Sequence, residues 1–114
     1  GFRCQPMFVE DGLEALEYLQ DCGSVEKPRP DLLLVDLSMP RMDGLSLLKR
    51  LRSDPLWELI PVLIFTTSTA EREVQQAYKL GCNAYVVKPY SLKDLTSVID
   101  GLLNHWLGQV RLPQ

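Results

Sequence analysis

The sequence predicts an α/β domain built on a parallel sheet, and three observations carry that expectation. Short β-rich apolar runs alternate with stretches of helical spacing. The runs Leu32-Leu33-Leu34-Val35 and Val62-Leu63-Ile64-Phe65 are continuously apolar, as strands covered on both faces of a parallel sheet are. A chain of 114 residues, 46% of them hydrophobic, suits one domain with a single modest core.

Arg3 to Val9 reads as the first strand, weakened by Pro6, whose missing donor confines it to a sheet edge. Asp11-Gly12 punctuates, and Leu13, Leu16 and Leu19 then recur at helical spacing up to Gln20. Gly23, Pro28 and Pro30 make residues 21–30 a loop. Leu32 to Val35 is the second strand. Pro40 and Gly44 mark the loop after it, and Leu45, Leu47, Leu48 and Leu51 give a helix that stops near Asp54-Pro55. Pro61 precedes the third strand, Val62 to Phe65. Ser68 or Thr69 is placed to cap a helix from about Ala70 to Leu80, with Gly81 as its stop. Ala84 to Val87 is the last strand. Ser91, with Asp94 three residues on, opens a final helix through Val98, Ile99, Leu102 and Leu103. Residues 1–104 are assigned to the domain. Residues 105–114, with His105, Trp106, Leu107, Val110, Leu112 and Pro113, are read as a short apolar C-terminal tail. Strand and helix alternate four times, so parallel pairing through crossover helices is expected.

Three polar residues close three of the apolar runs. Asp36 follows Val35, Thr66 follows Phe65, and Lys88 follows Val87 and precedes Pro89. In open parallel sheets ligands gather at the carboxyl ends of the strands, so these groups are expected to converge at one edge. A carboxylate, a hydroxyl and an ammonium there suit the capture and sensing of a phosphoryl group on an aspartate.

Composition excludes several classes. Twelve Lys and Arg stand against fifteen Asp and Glu, a formal net charge of −3 with no basic stripe, so no nucleic-acid partner is expected. Cys4, Cys22 and Cys82 are scattered, odd in number and without a Cys-x-x-Cys pair, which argues against a disulfide framework or a zinc site. They read as small apolar or surface thiols in a reducing compartment. No apolar run approaches the roughly 20 residues that span a bilayer, and no signal-peptide pattern opens the chain. A cytoplasmic location with no membrane partner is the expectation.

The motifs Val9-Glu10-Asp11-Gly12-Leu13-Glu14-Ala15-Leu16, Pro30-Asp31-Leu32-Leu33-Leu34-Val35-Asp36-Leu37-Ser38-Met39-Pro40, Met42-Asp43-Gly44, Pro61-Val62-Leu63-Ile64-Phe65-Thr66-Thr67 and Ala84-Tyr85-Val86-Val87-Lys88-Pro89-Tyr90 follow one another in order. With them the chain resembles the receiver domains of bacterial response regulators, the phosphoacceptor half of two-component signalling. The His105-Trp106-Leu107 tail, ending in Val110-Arg111-Leu112-Pro113, and the long loop at residues 21–30 are similar to single-domain receivers that partner cyanobacterial-type phytochrome kinases. The resemblance implies a flavodoxin-like (CheY-like) doubly wound sheet of order 2-1-3-4-5. Receivers begin with a further strand and helix, and that strand ends in an acidic pair that helps bind a divalent metal. Glu10-Asp11 belongs instead to the later strand-to-helix turn, only 25 residues before Asp36 counted from Asp11. The first strand, its helix and the acidic pair are therefore expected to be absent. The place of that strand lies between the Arg3 to Val9 and Leu32 to Val35 strands, where a gap would leave backbone groups unpaired. A fragment, a partner chain filling the gap, or a sheet that closes up are the three ways out.

The resemblance assigns roles. Asp36 is the phosphoacceptor, its carboxylate attacking phosphorus in line to give an acyl phosphate. On its own Asp36 is equally well a turn residue after a strand. Lys88 pairs with phosphoryl oxygens as a point charge, aimed by a kinked, often cis, bond to Pro89, whereas a Lys solvated at a strand end is the plain alternative. Thr66 contacts the phosphoryl group, and Thr67 is its competitor by adjacency but points to the opposite face. Tyr85 holds the aromatic switch position, with a half-buried strand tyrosine as the equal alternative. Gly44 and Pro89 are structural. Mg²⁺ is the implied cofactor, held by Asp36 and the Ser38 backbone carbonyl, weakly because the acidic pair is missing. His105 and Trp106 are helix-end packing, and Met39 and Met42 fill the loop. The implied partners are a sensor histidine kinase of phytochrome-like type and a second copy in a homodimer, with the switched surface on the last helices and strand. Self-hydrolysis would be slow and no other turnover is implied. The rivals are a pseudo-receiver or dimerisation module without phosphoryl chemistry, and an Asp-nucleophile phosphatase of the haloacid dehalogenase type. The latter wants a second acid two residues after Asp36, where this chain has Ser38.

Overall fold

Short continuously apolar runs and period-3.6 stripes leave one economical arrangement, a sheet with helices packed on its faces. The computed structural model describes residues 6–39 and 41–108, which places Arg3, Cys4, Pro40 and the tail residues Val110, Leu112 and Pro113 outside the described residues. Eight elements alternate: β1 (Pro6–Val9), α1 (Gly12–Asp21), β2 (Leu32–Val35), α2 (Gly44–Arg52), β3 (Val62–Thr66), α3 (Glu71–Lys79), β4 (Ala84–Val87) and α4 (Leu92–Gly108).

The helix starts follow their cap chemistry. Asp11 caps α1, its side chain accepting from the amides of Leu13 and Glu14, and Asp43 caps α2 by accepting from Ser46 N. At α4 the Ser91 hydroxyl accepts from Asp94 N at 3.1 Å. At α3 the expectation of a Ser68 or Thr69 cap does not hold. The N-cap is Ala70, with no side-chain bond to the first turn. The Ser68 hydroxyl is used one step earlier, accepting from Ala70 N in a local turn. α4 continues through His105, Trp106 and Leu107 to Gly108, so all three are helical, and Trp106 and Leu107 share one apolar face with Leu103.

All strand pairs are parallel, in the order β1-β2-β3-β4. Of the three ways out of a gap between β1 and β2, the structure takes the third, a sheet that closes up. Pro6 pairs with Leu32, and Val9 with Val35, in direct register. A gap would strand two rows of backbone donors and acceptors, whereas closing the sheet satisfies them. Pro6 does lie on an edge strand, where its missing N–H costs nothing.

The two faces are covered unequally. Leu33, Val35, Val62 and Ile64 meet the buried faces of α1, α2 and α3 through Ala15, Leu19, Leu47, Leu48, Leu51 and Ala77. Leu32, Leu34, Leu63 and Phe65 meet α4 alone, through Leu95, Val98, Ile99, Leu102 and Trp106. Fully buried leucines such as Leu33, Leu47 and Leu63 each contribute about 1.5–3 kcal/mol of transfer free energy. No residue of α4 is fully buried, and Phe8 on β1 is 51% exposed.

Candidate functional site

β2, β3 and β4 run the same way, so Asp36, Thr66 and Lys88 come out at one end of the sheet. Lys88 Nζ lies 2.6 Å from Asp36 Oδ2, with both side chains 29% exposed. Asp36 Oδ1 accepts from Ser38 N at 3.1 Å. The carboxylate thus has a donor on each oxygen. The Lys88 ammonium also lies 5.5 Å from the centre of the Phe65 ring, within cation–π range. Lys88 reaches Asp36 although no peptide bond among the described residues is cis, which corrects the expectation for Lys88-Pro89. A trans bond is the lower-energy form, and Lys88 N still donates to Thr66 O at 2.7 Å, so the strand itself aims the side chain.

Thr66 stands beside this pair along the rim, but its hydroxyl is turned elsewhere. Thr66 is buried, Thr67 exposed, and Thr66 Oγ1 accepts from Ser68 N at 3.3 Å. Tyr85 is half-buried, and its hydroxyl donates to the Ser68 carbonyl at 2.9 Å. Two residues with expected roles therefore hold opposite sides of one residue, Ser68. The sequence pointed to Ser68 only as a helix cap. Its place two residues after Thr66 was the available signal, because short hydroxyl side chains bond backbone at that spacing.

The loop after Asp36 is held from two sides. Gly44 passes so close to the Asp36 carbonyl that a Cβ would collide with it, which accounts for glycine there. Arg41 takes φ 64°, a strained value for a residue with a side chain, and its Nε lies 2.7 Å from Asp11 Oδ2. That bond to Arg41 holds the Asp11 carboxyl below the usual carboxylate range, against the opposing effect of desolvation. Met39 and Met42 pack against the core as fillers. The sequence reads Asp11 only as a turn residue and gives Arg41 no role, since an ion pair between loops leaves no periodic trace.

An open cleft of about 400 Å³ lies on the α4 side of the rim, lined by Phe8, Glu10, Asp36, Ser38, Phe65, Lys88 and residues of β2 and α4. Among the described residues no three His, Cys, Asp or Glu side chains converge as a metal cage. Mg²⁺ does not need one, because it keeps several waters and takes one or two carboxylates. Asp36, Ser38 and Glu10 share the cleft, and the Val9–Val35 register sets Glu10 and Asp36 just past the ends of paired strands. That donor set fits a hydrated divalent cation, in competition with Lys88 for Asp36.

Residues 3–100 match the model of the response regulator receiver domain. The chain belongs to that family. It is 40% identical over 108 residues to the response regulator Rcp1 of Synechocystis sp., covering 94% of this chain and 74% of that protein. The crystal structure of the phosphorylated cyanobacterial phytochrome response regulator RcpA superposes with a TM-score of 0.84 at 37% identity, over 93% of this chain and 76% of that one. The Mn²⁺-bound form of Rcp1 gives 0.83 at 40% identity, over 93% and 77%. The receiver is thus a four-stranded member of the CheY-like fold, and a two-component signalling domain. No helix among the described residues is long and apolar enough to cross a membrane.

Proposed function

We propose that this receiver accepts a phosphoryl group on Asp36 from a sensor histidine kinase and so changes the surface of α3, β4 and α4. The observation that carries the reading is the 2.6 Å contact between Asp36 and Lys88 at the carboxyl end of the sheet. In the transfer, one Asp36 oxygen attacks phosphorus, an acyl P–O bond forms, and the bond to the donor breaks with its electron pair leaving on the donor. Lys88 leaves Oδ2 and follows the phosphoryl oxygens, whose charge exceeds that of the carboxylate. Asp36 and the Ser38 carbonyl would hold Mg²⁺, which offsets the charge gathering on the transferring oxygens.

The readout begins at Thr66 and Tyr85. Drawing the Thr66 hydroxyl toward a phosphoryl oxygen loosens its hold on Ser68 N, and Tyr85, bonded to the same residue, registers the change. Tyr78, Val87, Tyr90 and Leu92 are exposed on and beside α3, β4 and α4, an apolar surface suited to a protein partner or a second copy. The relative named as a phytochrome response regulator makes a phytochrome-type kinase the first donor to try. The reading also assigns the domain to the cytoplasm and gives it no turnover beyond slow self-hydrolysis.

The test is incubation with Mg²⁺ and a small acyl-phosphate donor, followed by mass spectrometry. One labile phosphoryl group is expected on the wild-type chain and none on Asp36→Asn. Continuous phosphate release would mark a phosphatase instead. An unlabelled wild-type chain would leave a phosphorylation-independent interaction module.

A further inference from the structure

The two ends of α3 are fastened in opposite ways. At its start Ala70 provides no side-chain cap, and Glu71 and Arg72 in the first turn are exposed. The approach to that start hangs on the site through Ser68, held by Thr66 Oγ1 at 3.3 Å and by the Tyr85 hydroxyl at 2.9 Å. At the other end the chain closes tightly. Gly81 N donates to Tyr78 O at 3.1 Å and Cys82 N to Ala77 O at 3.0 Å, the paired bonds of a Schellman closure, with Gly81 at φ 101°. Ala77, the one buried residue of α3, and the buried Cys82 anchor this end in the core.

Arg52, the last residue of α2, then clamps it. Its Nε donates to Gly81 O at 2.9 Å, Nη1 to Ile60 O at 2.8 Å and Glu58 O at 3.2 Å, and Nη2 to Asn83 Oδ1 at 3.1 Å. The same Asn83 oxygen accepts from Val62 N at 2.8 Å, which ties the clamp to the head of β3. All four acceptors of Arg52 are neutral oxygens. A planar guanidinium distributes its donors in fixed directions, so these bonds set the position of the helix end as well as its strength.

We propose that Arg52 is a positioning residue of the switch: it fixes the C-terminal end of α3 as a pivot, so that changes at Thr66 and Ser68 tilt the helix from its N-terminal end. A nine-residue helix is a rigid lever about 13 Å long. Displacement is then greatest at Glu71, Arg72 and Glu73 and fades toward Gly81. The moving part of the surface is the charged first turn, and the fixed part is the turn into β4. The trigger rests on phosphorylation of Asp36, whereas the lever itself does not.

Hydrogen exchange read by mass spectrometry on the whole chain tests the pivot. On treatment with acyl-phosphate donor and Mg²⁺, exchange over residues 68–74 should change by roughly tenfold, the loss of one hydrogen bond, with residues 78–83 unchanged. In Arg52→Met the donor-dependent change should spread into residues 78–83 while Asp36 takes the same label. Tyr85→Phe reads the lever without any donor, and should speed exchange over residues 68–74 alone. Arg52→Lys, a milder loss of the fork, serves the same comparison if Arg52→Met does not fold. An equal response at both ends of α3 in the wild type or in Tyr85→Phe overturns the pivot. So does an Arg52 variant that keeps the wild-type pattern. A wild-type chain that takes no label overturns the phosphoacceptor reading instead, and the Tyr85→Phe comparison still decides the pivot.

Discussion

The carboxyl and amino ends of the sheet are built on contrasting terms. At the carboxyl end each polar group is held by one or two bonds that another partner can replace: Lys88 and Ser38 N on Asp36, Ser68 N on Thr66. At the amino end Arg52 is spread over four oxygens, and Arg29 lies over the Trp57 ring at 4.1 Å while donating to Leu56 O. Burial lowers the Arg52 pKa, yet the group remains a cation at any ordinary pH. The end with exchangeable bonds can respond to a ligand, and the end with shared bonds keeps the frame in which the response is measured.

Substitutions sharpen this contrast. The largest stability effect is expected at the amino end, where Arg52→Ala leaves several carbonyls without a donor and should cost about 3 kcal/mol in urea unfolding. Lys88→Ala should do the reverse. Stability should change by less than about 1 kcal/mol, as for a partly exposed ion pair, while labelling of Asp36 slows by roughly a hundredfold. If Lys88→Ala instead melts the domain, the carboxyl end is structural and the contrast fails. Gly81→Ala should cost about 1–2 kcal/mol, because φ 101° crowds a side chain against the Arg52 stem. The smallest effect concerns the Arg41 clasp. Asp11 has a depressed carboxyl pKa when folded, so its contribution is present above the unfolded value of about 3.9 and lost as pH falls through the lower folded value. Asp11→Asn keeps a capping side chain. The gap in urea midpoint between it and the wild type should therefore be open at pH 7 and close below about pH 4.

The order of elements along the chain, helix positions and the convergence of Asp36 with Lys88 were legible because they follow from periodicity and from where polar residues interrupt apolar runs. The direct pairing of β1 with β2 was one of three outcomes left open. Nothing in either run states its neighbour, and only the cost of unpaired backbone decides between a gap and a closed sheet. The cap of α3 was misread because Ser68 and Thr69 are good capping types, whereas a local bond to Thr66 and a tertiary one from Tyr85 hold Ser68 in a different entry. The extent of α4 was underestimated at His105, since a tail rich in apolar residues and a helix with a loose apolar stripe look alike without a stop signal. The Arg52 clamp was invisible for another reason. Its acceptors are backbone oxygens, which every sequence supplies everywhere.

The single helix over one face of the sheet carries a consequence for how the molecule comes apart. α4 spans 17 residues and buries none of them completely, so under mild denaturant it should peel away before the leucine-rich side melts. Leu95 and Ile99 form a wall of the cleft beside Asp36, and that wall leaves with the helix. Asp36 would then be open to water, and an acyl phosphate formed there short-lived, while most of the fold was still intact.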